Sequence, residues 1–137
     1  DRIWLVWSQS QSGDPNQDRW LLNYRVLDLT TMNWGTTVEL TADPSGQVSD
    51  RQANLLLTDD GKLRIFFHSD RSGGLDLWSM DLRISDRVRT TPQVITQTGD
   101  IELAPTPIVL ADSRMWLLYR SEKNIALNQS GYQPSDH

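Results

Sequence analysis

Cysteine is absent from this chain of 137 residues, so disulfide bonds and thiolate chemistry are excluded. Basic residues are also scarce, because 13 Lys and Arg stand against 18 Asp and Glu, for a net charge of -5. Without a basic run or stripe, neither nucleic acid nor an anionic membrane surface is an expected partner. No apolar run approaches the roughly 20 residues of a transmembrane helix, so membrane insertion is not expected either.

Histidine occurs only at His68 and His137, so a zinc site would need carboxylates that the sequence does not group around them. A nucleophile elbow and a phosphate-binding glycine loop are also missing. We therefore predict no metal, no cofactor and no catalytic residue. His68 is expected at the end of a strand rather than in catalysis.

The residues that are present predict an all-β protein. Apolar positions alternate or run in blocks of four to six, and clusters of Gly, Pro, Asn, Asp and Ser interrupt them at short intervals. Tryptophan is frequent, with six residues, which suits β-sheets that pack through large aromatic side chains. No segment shows a convincing helical pattern.

The stretch 63–82 shows the β pattern most clearly. The apolar run 63–68 is followed by a polar turn with the glycine pair Gly73 and Gly74, and then by an alternating run that carries Trp78. Two β-type runs joined by a short loop with glycine predict an antiparallel hairpin.

The first of these runs recurs twice in the chain. The segments 3–8, 63–68 and 115–120 each place an aromatic residue fifth and aliphatic residues first and third. The last two copies, 52 positions apart, are each followed by a serine, an acid and a base. An aliphatic run and then a tight turn precede each of these two copies. The aliphatic runs predict strands over about Ala53 to Thr58 and Thr106 to Leu110.

The segments 34–41 and 89–96 are also similar to each other, at an offset of 55. We predict that both form outer strands that close a repeated unit. Pro92 suits such an edge position, because its missing N–H costs nothing there.

The remaining strand of the unit is clear at 75–82 and lies within 20–29 in the first unit. There, either Trp20 or Tyr24 corresponds to Trp78. In the last unit, only 124–127 is available for this strand.

The unit therefore comprises four antiparallel strands with a period of about 50 residues, which is the length of a β-propeller blade. We predict an all-β propeller of which about two and a half blades are present: a partial blade at 1–41, a complete blade at 42–96 and a partial blade at 97–137. So few blades cannot close a ring. We therefore expect a protein partner or further blades, from a longer chain or from other copies. Because the chain begins at Asp1 rather than at methionine, we expect a processed product or a segment of a longer protein.

The segment 67–82 resembles the WD-like propeller repeat of the TolB type. That pattern runs from an aromatic residue through Ser-Asp-Arg, a glycine, a short gap, Asp, an aliphatic residue and an aromatic residue to Met-Asp-Leu, as from Phe67 to Leu82 here. Similar repeats occur in propellers of bacterial phage-tail-like proteins and contractile injection particles, where Trp-Gly often precedes a final strand, as at Trp34 and Gly35. The first unit departs from the pattern, with Ser-Gln-Ser-Gln at 8–11 in place of Ser-Asp-Arg.

The resemblance implies a propeller in a bacterial protein that is periplasmic, extracellular or associated with a particle. It implies no single activity, because propellers serve in binding, scaffolding and catalysis alike.

Asp70, Arg71 and Asp76 flank the central turn and are candidate binding residues, for a sugar or a cation. The structural interpretation, which we favour, is that Asp70 caps turn amides and pairs with Arg71 to hold the hairpin. Too few oxygen ligands lie at close spacing for a calcium loop.

Trp20, Trp34 and Trp78 are candidate platforms on which a sugar could stack. The alternative is that they fill the space between blades, and both interpretations stay open for Trp20 and Trp34, which lie beside loops. Packing between blades is favoured for the remaining three tryptophans that strands carry: Trp4, Trp7 and Trp116.

We expect a non-catalytic interaction or structural module of a larger bacterial assembly or cell-surface protein, which binds another protein or a glycan. One alternative is a propeller glycosidase or peptidase-associated propeller with catalytic residues outside this chain. The spacing from Ser69 to Trp78 does not match the Ser-x-Asp-x-Gly-x-Thr-Trp box of sialidases, so the sequence gives the glycosidase alternative little support. A sugar-binding lectin propeller is the other alternative.

Overall fold

A computed structural model of the chain describes residues 1–11, 19–43 and 45–123. Within these ranges the protein consists of ten β-strands, and none of the described residues lies in a helix that could cross a membrane. The strands are β1 (Arg2–Ser10), β2 (Trp20–Asp28), β3 (Asn33–Trp34), β4 (Val38–Glu39), β5 (Asp50–Leu57), β6 (Lys62–Ser69), β7 (Asp76–Arg83), β8 (Gln93–Val94), β9 (Ile101–Val109) and β10 (Met115–Glu122).

The strands form three antiparallel sheets. In the first sheet β1 pairs with β2, which also pairs with β3 and β4; the central sheet has the order β5-β6-β7-β8; the third sheet pairs β9 with β10. The all-β prediction is confirmed. The strands of the three sheets fall within 1–41, 42–96 and 97–137 respectively, and the strand position proposed at 124–127 lies outside the described residues.

The first and central sheets share one pairing scheme at an offset of 55. Trp78 on β7 pairs with Val94 on β8, and the residue of β2 with the equivalent pairing to β4 is Asn23. Both sequence-based alternatives, Trp20 and Tyr24, are therefore wrong. The position is defined by hydrogen bonding to the outer strand and not by aromatic character.

The outer segments are also anchored in the same way. The Thr41 hydroxyl accepts a hydrogen bond from the backbone N–H of Leu22 at 2.9 Å, and 55 positions later the Thr96 hydroxyl accepts one from Leu77 at 2.9 Å. Each threonine stands where the outer segment leaves its short strand, so its side chain prolongs the ladder beyond that strand.

The central and third sheets share a β-bulge at an offset of 52. Gln52 in β5 and Ala104 in β9 both have left-handed backbone, with φ of 52° and 54°, and the pairing of each strand shifts there. Because pairing resumes beyond the bulge, the strands begin at Asp50 and Ile101, earlier than predicted.

The hairpin turns before β6 and β10 also match at this offset. Gly61, at φ 75°, donates its backbone N–H to the carbonyl of Thr58 at 3.1 Å, and Ser113, at φ 64°, donates to Leu110 at 3.0 Å. The tight turns predicted before these two strands are confirmed, with a positive φ in each.

The main core lies between the first and central sheets. We call the side of a sheet that points to the next sheet along the chain its forward face, and the opposite side its rear face. The forward face of the first sheet meets the rear face of the central sheet in one apolar cluster. Its buried members are Leu22, Tyr24, Val26, Leu40, Leu63, Ile65, Phe67, Met80 and Leu82.

A second interface lies between the central and third sheets. Phe66, on the forward face of β6, is buried and lines the same cavity as Met115 and Leu117 of β10. The three sheets therefore stack face to face in chain order.

Candidate functional site

The Ser-Asp-Arg stretch lies at the end of β6 and the start of the turn to β7. The Asp70 carboxylate accepts a hydrogen bond from the backbone N–H of Ser49 at 2.8 Å, and its backbone carbonyl accepts one from Gly73 at 2.9 Å. The Ser69 hydroxyl accepts the backbone N–H of Arg71 at 3.2 Å. Asp70 thus ties the turn to the residue that precedes β5.

Arg71 pairs with Asp50, so the predicted pairing of Arg71 with Asp70 is wrong. Its Nε and Nη2 lie 3.1 and 2.6 Å from the two oxygens of the Asp50 carboxylate, which is fully buried. Such a bidentate contact is the strongest geometry for a guanidinium. Nη2 also donates to the carbonyl of Ala42 at 3.2 Å, just beyond the outer strand of the first sheet. Arg71 therefore links the first sheet to the central sheet.

Sequence reasoning missed Asp50, although the repeat contained a signal for it. An acid and a base, Glu102 and Lys123, stand 52 positions after Asp50 and Arg71. The paired recurrence of opposite charges at one offset indicates two side chains that meet. Glu102 is buried like Asp50, and its Oε1 accepts a hydrogen bond from the Thr98 hydroxyl at 3.2 Å.

Asp76 lies opposite Ser69 in the pairing of β6 with β7 and is buried. The Ser72 hydroxyl donates to its Oδ2, whereas its Oδ1 has no hydrogen-bond partner among the described residues. The structure thus brings Asp70, Arg71 and Asp76 to one turn. Their contacts there hold the turn and the junction between sheets together.

His68 is the last but one residue of β6, at the strand end as expected, and it is buried. Burial lowers its pKa to about 4, and the nearby Arg51 guanidinium acts in the same direction. His68 is therefore neutral at pH 7. Its Nδ1 has no hydrogen-bond partner in the described part of the chain.

The three candidate tryptophans have different surroundings. Trp78 packs against the main core, opposite Phe67. Trp20 is half-buried beneath the Arg51 guanidinium, which lies 4.7 Å from the ring centroid. Trp34 is 43% exposed, which makes it the most accessible of the three.

Trp34 lines a cavity of about 400 Å³ at the outer edge of the first sheet. The Arg25 guanidinium lies 5.6 Å from its ring centroid and is held by a 3.0 Å hydrogen bond from Nε to the Gly35 carbonyl. Arg2 and Arg87 also line this cavity, and the sequence patterns did not single them out. Arg87 comes from the turn after β7, so the central sheet completes the cavity.

A larger cavity, of about 630 Å³, lies between the central and third sheets. It occupies the forward side of β7 and the segment that follows it, lined by Ser79, Asp81 and Gln93 among others. Opposite these residues the third sheet has only the described strands β9 and β10. We assign no small-molecule ligand to this volume.

The two outermost sheet faces carry apolar side chains in the open. On the rear face of β1, Ile3 and Leu5 are 48% and 47% exposed, whereas Leu63 and Ile65, at the same positions of β6, are 6% and 0% exposed. On the forward face of β10, Trp116 is 56% exposed. The packing of Trp116 between blades stays a prediction.

Within the described ranges, no group of three or more histidine, aspartate or glutamate side chains lies close enough to hold a metal ion. No protein-family model matches the chain, and no curated protein and no solved structure is significantly similar to it.

Proposed function

We propose that the chain is a non-catalytic interaction or structural module of the β-propeller type, in which each sheet is one blade. The central sheet supports this proposal because it is a four-stranded meander with consecutive strands as neighbours. The pairing, bulges and turns that recur at offsets of 52 and 55 support it as well. The partner is a second copy of this chain, which supplies a further sheet at either end of the stack.

The observation that carries the proposal is the state of the outermost faces. The rear face of the central sheet is covered by the first sheet, and its residues Leu63 and Ile65 are buried. Ile3 and Leu5 occupy the same positions on the first sheet but are about half exposed. Full burial of such a side chain contributes about 1.5–3 kcal/mol, so each half-exposed residue forgoes roughly half of that. A sheet that covers this face as the first sheet covers the central one would recover that free energy.

The same reasoning applies at the other end of the stack. Trp116 and Leu118 on β10 occupy the positions that Arg64 and Phe66 have on β6, where Phe66 is buried against the third sheet. The two outermost faces are therefore different surfaces: one is the rear face of the first sheet and the other is the forward face of the third sheet. Contacts between them would be head-to-tail rather than face-symmetric.

The experiment uses sedimentation velocity on the 137-residue chain over a range of concentrations. We expect the parent chain to associate. Leu5→Lys should abolish this association by placing a charge on the rear face of the first sheet, and Leu118→Lys should abolish it by placing one on the forward face of the third. Because each variant keeps one intact face, an equimolar mixture of the two should form a dimer with one copy of each. Val88→Lys, at an exposed residue in the turn after β7, is the matched control and should associate like the parent.

A parent chain that stays monomeric at every concentration would contradict this use of the faces. Two variants that fail to complement each other, although each melts cooperatively like the parent, would contradict the head-to-tail arrangement.

A further inference from the structure

The third sheet ends at an open strand edge. Among the described strands, β10 has a single neighbour, β9, whereas β6 lies between β5 and β7 in the central sheet. Because the segments 115–120 and 63–68 correspond at an offset of 52, β10 lacks the neighbour that β7 provides to β6. An open edge carries backbone N–H and C=O groups that can pair with a further polypeptide segment.

The hydrogen bonds between β9 and β10 identify which groups of β10 face this edge. The backbone N–H of Leu110 donates to the carbonyl of Arg114 at 2.8 Å, where the pairing begins. Because bonded and non-bonded pairs alternate in antiparallel strands, every second residue from Arg114 onward bonds to β9. The residues between them direct their N–H and C=O groups to the open edge; we call them the edge residues, and they are Met115, Leu117 and Tyr119. Pro107, which has no N–H, lies opposite Leu117, in agreement with this pattern.

The side chains of the edge residues are more exposed than their counterparts in the central sheet. Met115 and Tyr119 are 40% and 46% exposed, whereas Leu63 and Phe67, at the same positions of β6, are buried. β7 runs alongside these two residues of β6, and none of the described strands does so at β10. A strand beside β10 would therefore cover apolar surface as well as pair with backbone groups.

The cavity of about 630 Å³ between the central and third sheets lies beside this edge. Two edge residues, Met115 and Leu117, line it from the third sheet. Phe66 and Ser79 line it from the central sheet; they pair across β6 and β7, so both lie on the forward face, which meets the third sheet. A strand paired with β10 would direct every second side chain into this cavity, because side chains alternate between the two faces of a strand.

The cavity suits a neutral side chain with an apolar body and a polar end. Its lining combines apolar side chains with hydroxyl and amide groups, from Phe66, Ile95, Met115, Leu117, Ser79 and Gln93. Its charged side chains, Arg64 and Asp81, are joined by two hydrogen bonds of 2.8 and 3.0 Å and neutralise each other. A further charge would be buried there without a partner, whereas tyrosine combines an aromatic ring with a hydroxyl group.

We propose that the third sheet binds an extended segment of a partner protein as an added strand beside β10, antiparallel to it, with a tyrosine side chain in the cavity. The direction follows from β7, which runs antiparallel to β6 at the equivalent edge. In such strand addition, main-chain hydrogen bonds provide affinity and pockets for alternate side chains provide specificity. The site is separate from the outermost faces on which the proposed function rests, because the cavity lies on the rear side of the third sheet.

The probe is a synthetic peptide with blocked ends, Lys-Thr-Val-Thr-Tyr-Thr-Val-Thr-Lys, whose valines and tyrosine share one side of an extended strand. Its binding to the ¹⁵N-labelled 137-residue chain is followed by NMR. We expect saturable shifts of the backbone N–H signals of the edge residues, with a Kd of about 0.1 mM. Hydrogen exchange of these N–H groups should become slower by about tenfold or more. Peptides with lysine or glutamate in place of tyrosine should bind about tenfold more weakly, because their charge would be buried.

Two N-methylated peptides test whether the peptide adds as a strand. In the proposed pairing the N–H of the peptide tyrosine donates to β10, whereas the N–H of the threonine after it points away. N-methylation of the tyrosine should therefore weaken binding by about tenfold or more, because a main-chain hydrogen bond is lost and a methyl group enters the ladder. N-methylation of that threonine is the matched control and should leave the Kd unchanged.

Two variants of the chain test the cavity. Ser79→Phe places a ring in the cavity from the central sheet and should weaken peptide binding by about tenfold or more, because the ring occupies the space of the tyrosine. Leu118→Phe, on the opposite face of β10 from the edge residues, is the matched control and should bind the peptide like the parent. A Tm equal to that of the parent checks that each variant keeps the fold.

Each contrary result overturns a defined part of the proposal. No saturable shift up to about 2 mM peptide, some twenty times the expected Kd, would show that the edge takes no such strand. Edge N–H groups that exchange slowly without peptide would assign the edge to residues 124–137 or to a second copy of the chain. Equal binding of the two N-methylated peptides would exclude strand addition, and full binding by Ser79→Phe would exclude the cavity. Peptide binding and sedimentation are separate measurements, so failure of one proposal leaves the other standing.

Discussion

Single residues of the Ser-Asp-Arg stretch act on sequence-distant parts of the chain. Asp70 binds the backbone of Ser49, and Arg71 binds both Asp50 and the carbonyl of Ala42. A motif that is local in sequence therefore makes contacts between strands and between sheets. Its recurrence as Ser121-Glu122-Lys123 at the end of β10 agrees with a structural role in the central and third sheets, whereas the first unit has Ser-Gln-Ser-Gln at 8–11.

The Arg71–Asp50 pair should matter to stability far more than the surface pairs. Arg71→Met keeps much of the side-chain bulk but leaves a fully buried carboxylate without its cation. Such a loss typically costs about 3–5 kcal/mol of unfolding free energy. Urea denaturation of the variant measures this cost. Arg83→Met, at an exposed pair with Asp86, is the matched control, and equal destabilisation of the two variants would refute the buried role.

His68 should make stability depend on pH below neutrality. Its pKa is lowered to about 4 by burial in the folded state, against an ordinary value near 6.5 in the unfolded chain. The unfolded chain therefore binds the proton first, so unfolding free energy falls as pH decreases from about 6.5 to about 4, by at most about 1.4 kcal/mol per pH unit. Urea midpoints between pH 7.5 and 4 measure this slope.

His68→Gln should abolish most of that slope. Carboxylates whose pKa is lowered, such as Asp43 at about 2, lose their contribution only below their ordinary value of 3.8, so they act in a lower pH range. An unchanged slope between pH 6.5 and 4 in the variant would mean that another group titrates there.

At the scale of elements, the turns and bulges repeat as closely as the strands do. The turn before β6 has left-handed backbone at Gly61, and the turn before β10 has it at Ser113, with matching hydrogen bonds. The sequence predicted a tight turn at both positions, because Asp-Gly-Lys and Asp-Ser-Arg occupy them. The turn contains glycine in one copy and serine in the other, so a side chain at this positive φ is compatible with the fold although it introduces conformational strain.

Gly61→Val should destabilise the chain by about 1–2 kcal/mol, because a β-branched residue is strained at positive φ. The space around the glycine is open, with no atom within 4 Å of an added Cβ, so the effect would be conformational rather than steric. Gly74→Val is the matched control, since Gly74 also has open space but no positive φ. Thermal unfolding of both variants would show a lower Tm for the Gly61 variant alone; equal Tm values would argue against the strain.

At the scale of the molecule, stability comes from sheets stacked in chain order. The main core joins the first two sheets, and Phe67 lies within it with no exposed surface. Neighbouring sheets bury each other's apolar side chains, whereas Ile3 and Leu5 on the rear face of the first sheet are about half exposed. The proposed function and the fold therefore rest on one interaction that is used repeatedly.

Phe67→Ala should lower the unfolding free energy by about 3–5 kcal/mol, because a large side chain leaves a cavity between two sheets. Leu57→Ala, at a largely exposed residue of β5, is the matched control and should change stability little. Chemical denaturation compares the two. A Phe67 variant as stable as the Leu57 variant would show that the first and central sheets do not share a core.

Much of the fold followed from the sequence alone. Alternating apolar residues, glycine at a left-handed turn and repeats at offsets of 52 and 55 determined an all-β chain of antiparallel strands, because strand and turn preferences depend on neighbouring residues. The tertiary structure alone decided that Arg71 meets Asp50 and that Asn23 takes the place equivalent to Trp78. It also decided that Arg87 and Trp34, more than fifty positions apart, line one cavity. These contacts depend on how separate sheets pack and which side chain of a strand faces its neighbour, and no local pattern specifies that.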